Sequence, residues 1–123
     1  HLSIRRQRQM CIRDSALPHP AESKLNTTIG AVLTDAPINT AQAQRLAMTA
    51  HDGIARAVRP AHSPLDGDTI FALSTAQRPA ELSTQIMTQI CAAAADAVEE
   101  AIVNAVTAAE PGLGLSVYRD LLD

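Results

Sequence analysis

Three short polar groups carry the residue types that could do chemistry: Asn26-Thr27-Thr28, His51-Asp52-Gly53 and Asp66-Gly67-Asp68. A threonine hydroxyl is a weak nucleophile that needs a nearby base. Two carboxylates spaced as in Asp66-Gly67-Asp68 raise the question of a metal site. Each group also has an ordinary structural reading. Asn26-Thr27-Thr28 matches a glycosylation acceptor, a short pattern with many chance occurrences, and hydroxyls entering a strand are usually structural. Asp52 and Arg56 stand four apart, the spacing of a stabilising helix pair. Asp66-Gly67-Asp68 reads first as a tight turn, because two carboxylates are too few for a calcium cage. No Gly-rich phosphate loop, nucleophile elbow or Cys/His metal spacing is visible.

The elements that would position these groups alternate strand and helix. TTIGAVLTDA (27–36) reads as a buried strand, with Ile29, Val32 and Leu33 apolar and Asp35 and Pro37 closing it. Gly30 inside it implies close backbone approach or a bulge. Thr40 is the expected N-cap of a helix in which Leu46, Ala47, Ala50, Ile54, Ala57 and Val58 recur at helical spacing, and Pro60 stops it. A turn-rich loop, 61–68, leads to a second short strand, TIFALST (69–75). A long helix is expected from about Glu81 to about Ala109, its row of Leu82, Ile86, Ile90, Ala94, Val98, Ile102 and Val106 winding around it. That winding predicts burial over much of its circumference. LSVYRDLLD at the end suggests a short closing helix.

Composition limits the function classes. Alanine dominates the apolar residues, Trp is absent, and Phe71 and Tyr118 are the only Phe and Tyr. A core without aromatic bulk favours close-packed helices and sheets completed by a partner segment. Arg5, Arg6, Arg8 and Arg13 crowd the first fifteen residues, beyond which 6 basic residues face 12 acidic ones. That balance argues against a nucleic-acid binder. Residues 1–15 lack any period and resemble adapter-derived sequence, so they are expected to be non-native, with 16–26 a loose lead-in. Cys11 and Cys91 suggest neither a disulfide framework nor a metal site, and Cys91 reads as a buried free thiol. No run is long enough to span a bilayer and no apolar segment comes after the basic start, so a cytoplasmic location is expected.

NTTIGAVLTDAP followed by QRLAMTAHDGIARAVRPAHSPLDGDTIFALST resembles the self-processing peptidases of the L-aminopeptidase/D-esterase (DmpA) family, from about Asn26 to about Thr75. The combination of the NTT strand start, the AHDGIARA helix and the RP-x-H-x-P-x-DGDT loop is specific. The resemblance implies an α/β fold, as part of a four-layer αββα sandwich shared with ornithine acetyltransferases and incomplete in this chain. It implies a precursor that cuts itself once, here at Asn26–Thr27, making Thr27 the N-terminal nucleophile of a smaller subunit spanning 27–123. Asp66 and Asp68 match the family's polar pair near the nucleophile, which implies that Asp68 orients or polarises the site, while Asp66 stands where the best-studied members carry serine. The oxyanion-stabilising residues are expected on a larger upstream subunit.

The activity so implied is release of N-terminal amino acids from peptides, amides or esters through an acyl-enzyme on Thr27, with no metal or organic cofactor. The partners would be the larger subunit and further copies of the subunit pair, with no nucleic acid and no membrane. The chain by itself is expected to be inactive. Two alternatives remain at this point: an N-terminal-threonine acetyltransferase of the same sandwich fold, and a non-catalytic assembly or interaction remnant.

Overall fold

The computed structural model describes residues 27–112, 114 and 116–122. The expectations for residues 1–15 and 16–26, Asn26 included, lie outside the described residues. The order of elements is β1 (Ile29–Thr34), α1 (Thr40–Ala57), β2 (Thr69–Ser74), α2 (Thr84–Ala108) and a 3-10 turn, Tyr118–Leu121. The chain is thus α/β, with β1 and β2 paired in parallel from Ile29↔Thr69 to Thr34↔Ser74. Parallel pairing requires a long crossover, and α1 supplies it.

Helix α1 begins at Thr40, so its cap falls one residue earlier than expected. Asn39, not Thr40, is the N-cap: its side chain accepts from the Gln42 amide at 2.9 Å, and the Gln42 side chain accepts from the Asn39 amide at 3.2 Å. Asn outranks Thr as a cap, and the reciprocal pair satisfies two amides that the first turn leaves open. The Gln42 side-chain amide also donates to the Leu82 carbonyl at 2.9 Å, joining the start of α1 to the approach of α2. Helix α2 is capped by Ser83 and is a little shorter at both ends than the periodicity suggests.

The core lies between α1, α2 and one face of the sheet. Leu46, Ala50 and Ile54 of α1 are buried against Ile70 of β2 and Met87 and Ala94 of α2. Small residues let the two helices approach closely, and Gly53 marks one such approach. A Cβ there would lie 2.4 Å from the Ala95 carbonyl oxygen and 2.8 Å from the Val98 Cβ. Gly30 likewise marks a close approach and not a bulge: a Cβ would meet the Ile70 Cδ1 of its cross-strand partner at 2.8 Å.

Four expectations need correction. Arg56 does not pair with Asp52; it reaches across to Asp96, with Glu99 at 3.9 Å, because those carboxylates sit on the facing helix. Cys91 is only partly buried. Helix α2 is buried along one side, at Met87, Ala94 and Ala95, while Ile86 is exposed; α1 alone cannot cover a stripe that winds around its neighbour. Strand β1 is likewise covered on one face only. From Thr27 to Thr34 exposure alternates residue by residue, leaving Ile29 and Leu33 outward. On β2, Phe71 and Leu73 share that outward face.

Candidate functional site

The site is built where β1 begins and where the 58–68 loop returns to β2. The Thr69 amide donates to the Thr28 carbonyl at 2.8 Å, so the parallel pairing starts at Thr28 and brings the Asp66–Asp68 segment beside it. The Asp68 Oδ1 accepts from the Thr28 amide at 3.0 Å. Its other oxygen, Oδ2, lies 2.8 Å from the His62 Nδ1. The His62 Nε2 faces the His51 carbonyl at 3.3 Å, and the two imidazole rings lie 5.3 Å apart, tilted.

Asp68 is almost enclosed, its side chain 8% exposed. Burial opposes its ionisation and is the largest single influence on it. The amide of Thr28, the His62 ring, the Thr28 hydroxyl and the charge available to His62 all act the other way and together prevail. The carboxyl is therefore held below its ordinary pKa, because the charged form accepts every one of those bonds.

Asp66 has a different task. Its Oδ2 accepts from the Ser63 amide at 2.7 Å, and its own amide donates to the Ser63 carbonyl at 2.9 Å. The carboxylate thus closes the Ser63–Asp66 turn, which is the tight-turn reading of this segment made concrete. Asp66, Asp68 and Thr28 also line a small open cleft of about 150 Å³, together with Ile54, Val58 and Pro60. This is smaller than the ~300–1,000 Å³ usual for a ligand pocket.

The two threonines of the strand entrance are separated by the strand's alternation. Thr28 turns inward to Asp68 and the cleft. Thr27 is exposed on the side of Ile29 and Leu33, and its Oγ1 packs beside Gly67, 2.9 Å from where a Cβ would stand. The structure therefore brings Thr27, Asp66 and Asp68 into one neighbourhood while giving the direct bonds to Thr28. His51 enters only as a backbone carbonyl and a ring beside His62. Asp52 is exposed on α1 and is no part of the cluster. Among the described residues no group of three or more His, Cys, Asp or Glu side chains could hold a metal ion. No helix among them is long and apolar enough to cross a membrane. His62 was visible in sequence only as the histidine of RP-x-H-x-P-x-DGDT; its bond to Asp68 had no separate signal.

The profile of peptidase family S58 matches residues 3–117. The chain belongs to that family. The matched span begins inside the 1–15 segment and so draws no boundary between it and residue 16 onward. An aminopeptidase of Mycobacterium bovis, described as uncharacterized, is 48% identical over 106 residues, which cover 78% of this chain and 31% of the relative. A counterpart from Mycobacterium leprae is also 48% identical over 106 residues, 78% of this chain and 29% of its own length. A 6-aminohexanoate-oligomer endohydrolase of Kocuria is 34% identical over 56 residues, 46% of this chain and 16% of that enzyme. The chain thus spans about a third of the length of the mycobacterial S58 relatives it matches. The resemblance to the L-aminopeptidase/D-esterase peptidases is borne out at the level of the family.

Proposed function

We propose that this chain supplies the nucleophile of an S58 hydrolase, with Thr27 the nucleophile and Asn26–Thr27 the bond cut during self-processing. The observation that carries the reading is the division of labour between the two threonines. Thr28 is tied through its amide to Asp68, whereas Thr27 presents its hydroxyl on the open face of the sheet, beside Gly67. In the precursor the Thr27 hydroxyl attacks the Asn26 carbonyl carbon, and its proton passes to the Thr27 nitrogen as the peptide C–N bond breaks. Water then hydrolyses the resulting ester, leaving a carboxylate on Asn26 and a free α-amine on Thr27. That amine, of reference pKa ~7.7–8.0, is neutral often enough near neutrality to act as base for the hydroxyl of its own residue.

With substrate, Thr27 Oγ forms an acyl-enzyme as the amine or alcohol departs, and water releases the acid. Asp68 fixes the chain at the next residue and so sets the position of Thr27. Asp66 shapes the loop and adds its charge to the cleft. The outward apolar face of Ile29, Leu33, Phe71 and Leu73 supports a second sheet packing there, as in a four-layer αββα sandwich, since exposed apolar faces of this kind mark contact surfaces. The covering layer would come from the larger subunit, which would also carry the oxyanion donors. The substrates are peptides, amides or esters with a free N-terminal amino acid, a class that the aminopeptidase names of the mycobacterial relatives support.

Steady-state hydrolysis of amino-acid p-nitroanilides by the full-length protein tests the reading. Turnover is expected, with none above background for Thr27→Ala or for the 123-residue chain alone; removal of even one oxyanion donor commonly costs ~10²–10³ in rate. Equal turnover by wild type and Thr27→Ala would end it. Acyl transfer to an added amine in preference to water would assign the acetyltransferase class instead.

A further inference from the structure

We infer that His62 is a positioning residue: its Nδ1 donates to Asp68 and thereby holds that carboxylate on the Thr28 amide at the entrance to β1. The inference rests on the reading that Thr27 is the nucleophile, and it concerns a residue to which that reading gives no role.

Three observations carry it. The first is the chain of contacts, from the His51 carbonyl through the His62 ring to Asp68 and on to Thr28, at 3.3, 2.8 and 3.0 Å. An ionised carboxylate can only accept, so the Nδ1 is the donor. The Nε2 also faces an oxygen, the His51 carbonyl. The second is the backbone. His62 sits at φ 56, the left-handed region, which a non-glycine residue rarely occupies. Such a conformation persists where the surroundings over-determine it, and it marks functional positions. Here it coincides with the contact of the ring with Asp68, six residues ahead. The third is burial. An enclosed carboxylate with two partners loses much of its orientation when one is removed, since each bond to a charged group is among the stronger ones.

The groups facing the ring are the His51 imidazole from α1 and the Asp68 carboxylate from the loop. The ring is partly exposed, at 39%. Positioning, not substrate contact, is the role the geometry gives it: both ring nitrogens are turned to protein oxygens.

Two substitutions in the full-length protein separate the bond from the backbone. Both glycine and asparagine accept a positive φ, but only asparagine carries an amide nitrogen near the place of Nδ1. His62→Gly should lower kcat for p-nitroanilide hydrolysis roughly 10- to 100-fold, with KM changed less than about twofold. His62→Asn should restore kcat to within a few-fold of wild type. A His62→Gly enzyme with wild-type kcat, a loss confined to KM, or failure of His62→Asn to rescue would each overturn the inference. Crystal structures of the two variants give a readout that needs no activity. Asp68 should leave the Thr28 amide in His62→Gly and keep it in His62→Asn. If Asp68 stays on Thr28 in both, the inference fails even where Thr27 proves to be the nucleophile. If Asp68 moves as stated but the wild type neither cleaves itself nor hydrolyses substrate, the positioning contact stands and the reading of Thr27 fails.

Discussion

Gly53→Ala is expected to destabilise the protein by about 3 kcal/mol, the upper end of the usual cost of overpacking. Two effects compete at this position. Alanine in place of glycine within a helix ordinarily gains ~1 kcal/mol. Against that stands the added methyl, which would lie 2.4 Å from the Ala95 carbonyl oxygen and 2.9 Å from the Glu99 amide nitrogen. Those are backbone atoms of α2, so no side-chain rotation relieves the contact and the helices must separate. Their separation would open the packing of Ile54 and Ala94, both nearly inaccessible. Chemical denaturation of the full-length protein checks this, with Asp52→Ala as the exposed neighbour that should change little. Equal stability of Gly53→Ala and wild type would mean that the helices meet less closely at Gly53 than the structure shows.

The second large effect concerns Asp68. Asp68→Asn keeps an oxygen for the Thr28 amide but brings an NH₂ group where His62 needs an acceptor. The loss of one charge-assisted bond is expected to cost about 1.5–3 kcal/mol near neutral pH, together with a fall in kcat. The pH dependence has a definite sign. In the folded protein the Asp68 pKa lies below its ordinary value of 3.8, so its contribution to stability is present above that value. It is lost as the pH falls through the still lower folded value. The stability gap between wild type and Asp68→Asn should therefore be largest above pH ~4 and shrink on further acidification. Denaturant titrations at several pH values measure it. A gap that widens towards low pH would contradict the assignment of Asp68 as a carboxylate ionised in the folded state.

Much of this fold is legible in the residues, and the failures have physical causes. The periodic apolar residues of α1, from Leu46 to Ala57, and the short apolar runs of β1 and β2 fall where the pattern puts them, because burial sets the period. Contacts between distant elements are less accessible. Arg56 can pair with Asp52 on its own helix or with Asp96 forty residues on, and spacing alone favours the nearer. Only the packing of α1 on α2 puts Asp96 within reach. Such an exposed pair is worth little in either place, so it leaves no stronger trace. Strand β1 reads as buried on both faces because Ile29 and Leu33 are as apolar as Val32. The sequence does not say that the chain covers only one of those faces.

The site divides in the same way. A resemblance that rests on motifs points to Thr27, Asp66 and Asp68, and the fold brings their segments together at the start of the parallel pair. The bonding between them was not legible. Thr27 and Thr28 are identical in chemistry, and only the alternation along β1 gives one to Asp68 and the other to the open face. His62 carries its meaning in a left-handed backbone that a histidine does not advertise.

Whether Thr27 is the self-processing nucleophile is tested most directly by intact mass spectrometry of the full-length protein after purification. One cleavage without added protease is predicted, giving a fragment that begins at Thr27. Thr27→Ala should remain a single uncut chain, while Thr28→Ala should still be processed, since its amide to Asp68 survives the loss of the hydroxyl. Cleavage of Thr27→Ala together with failure of Thr28→Ala would shift the nucleophile by one residue, onto the face of the strand that looks at Asp68. Unaltered cleavage in both variants, or none in the wild type, would contradict a nucleophile at this strand entrance altogether.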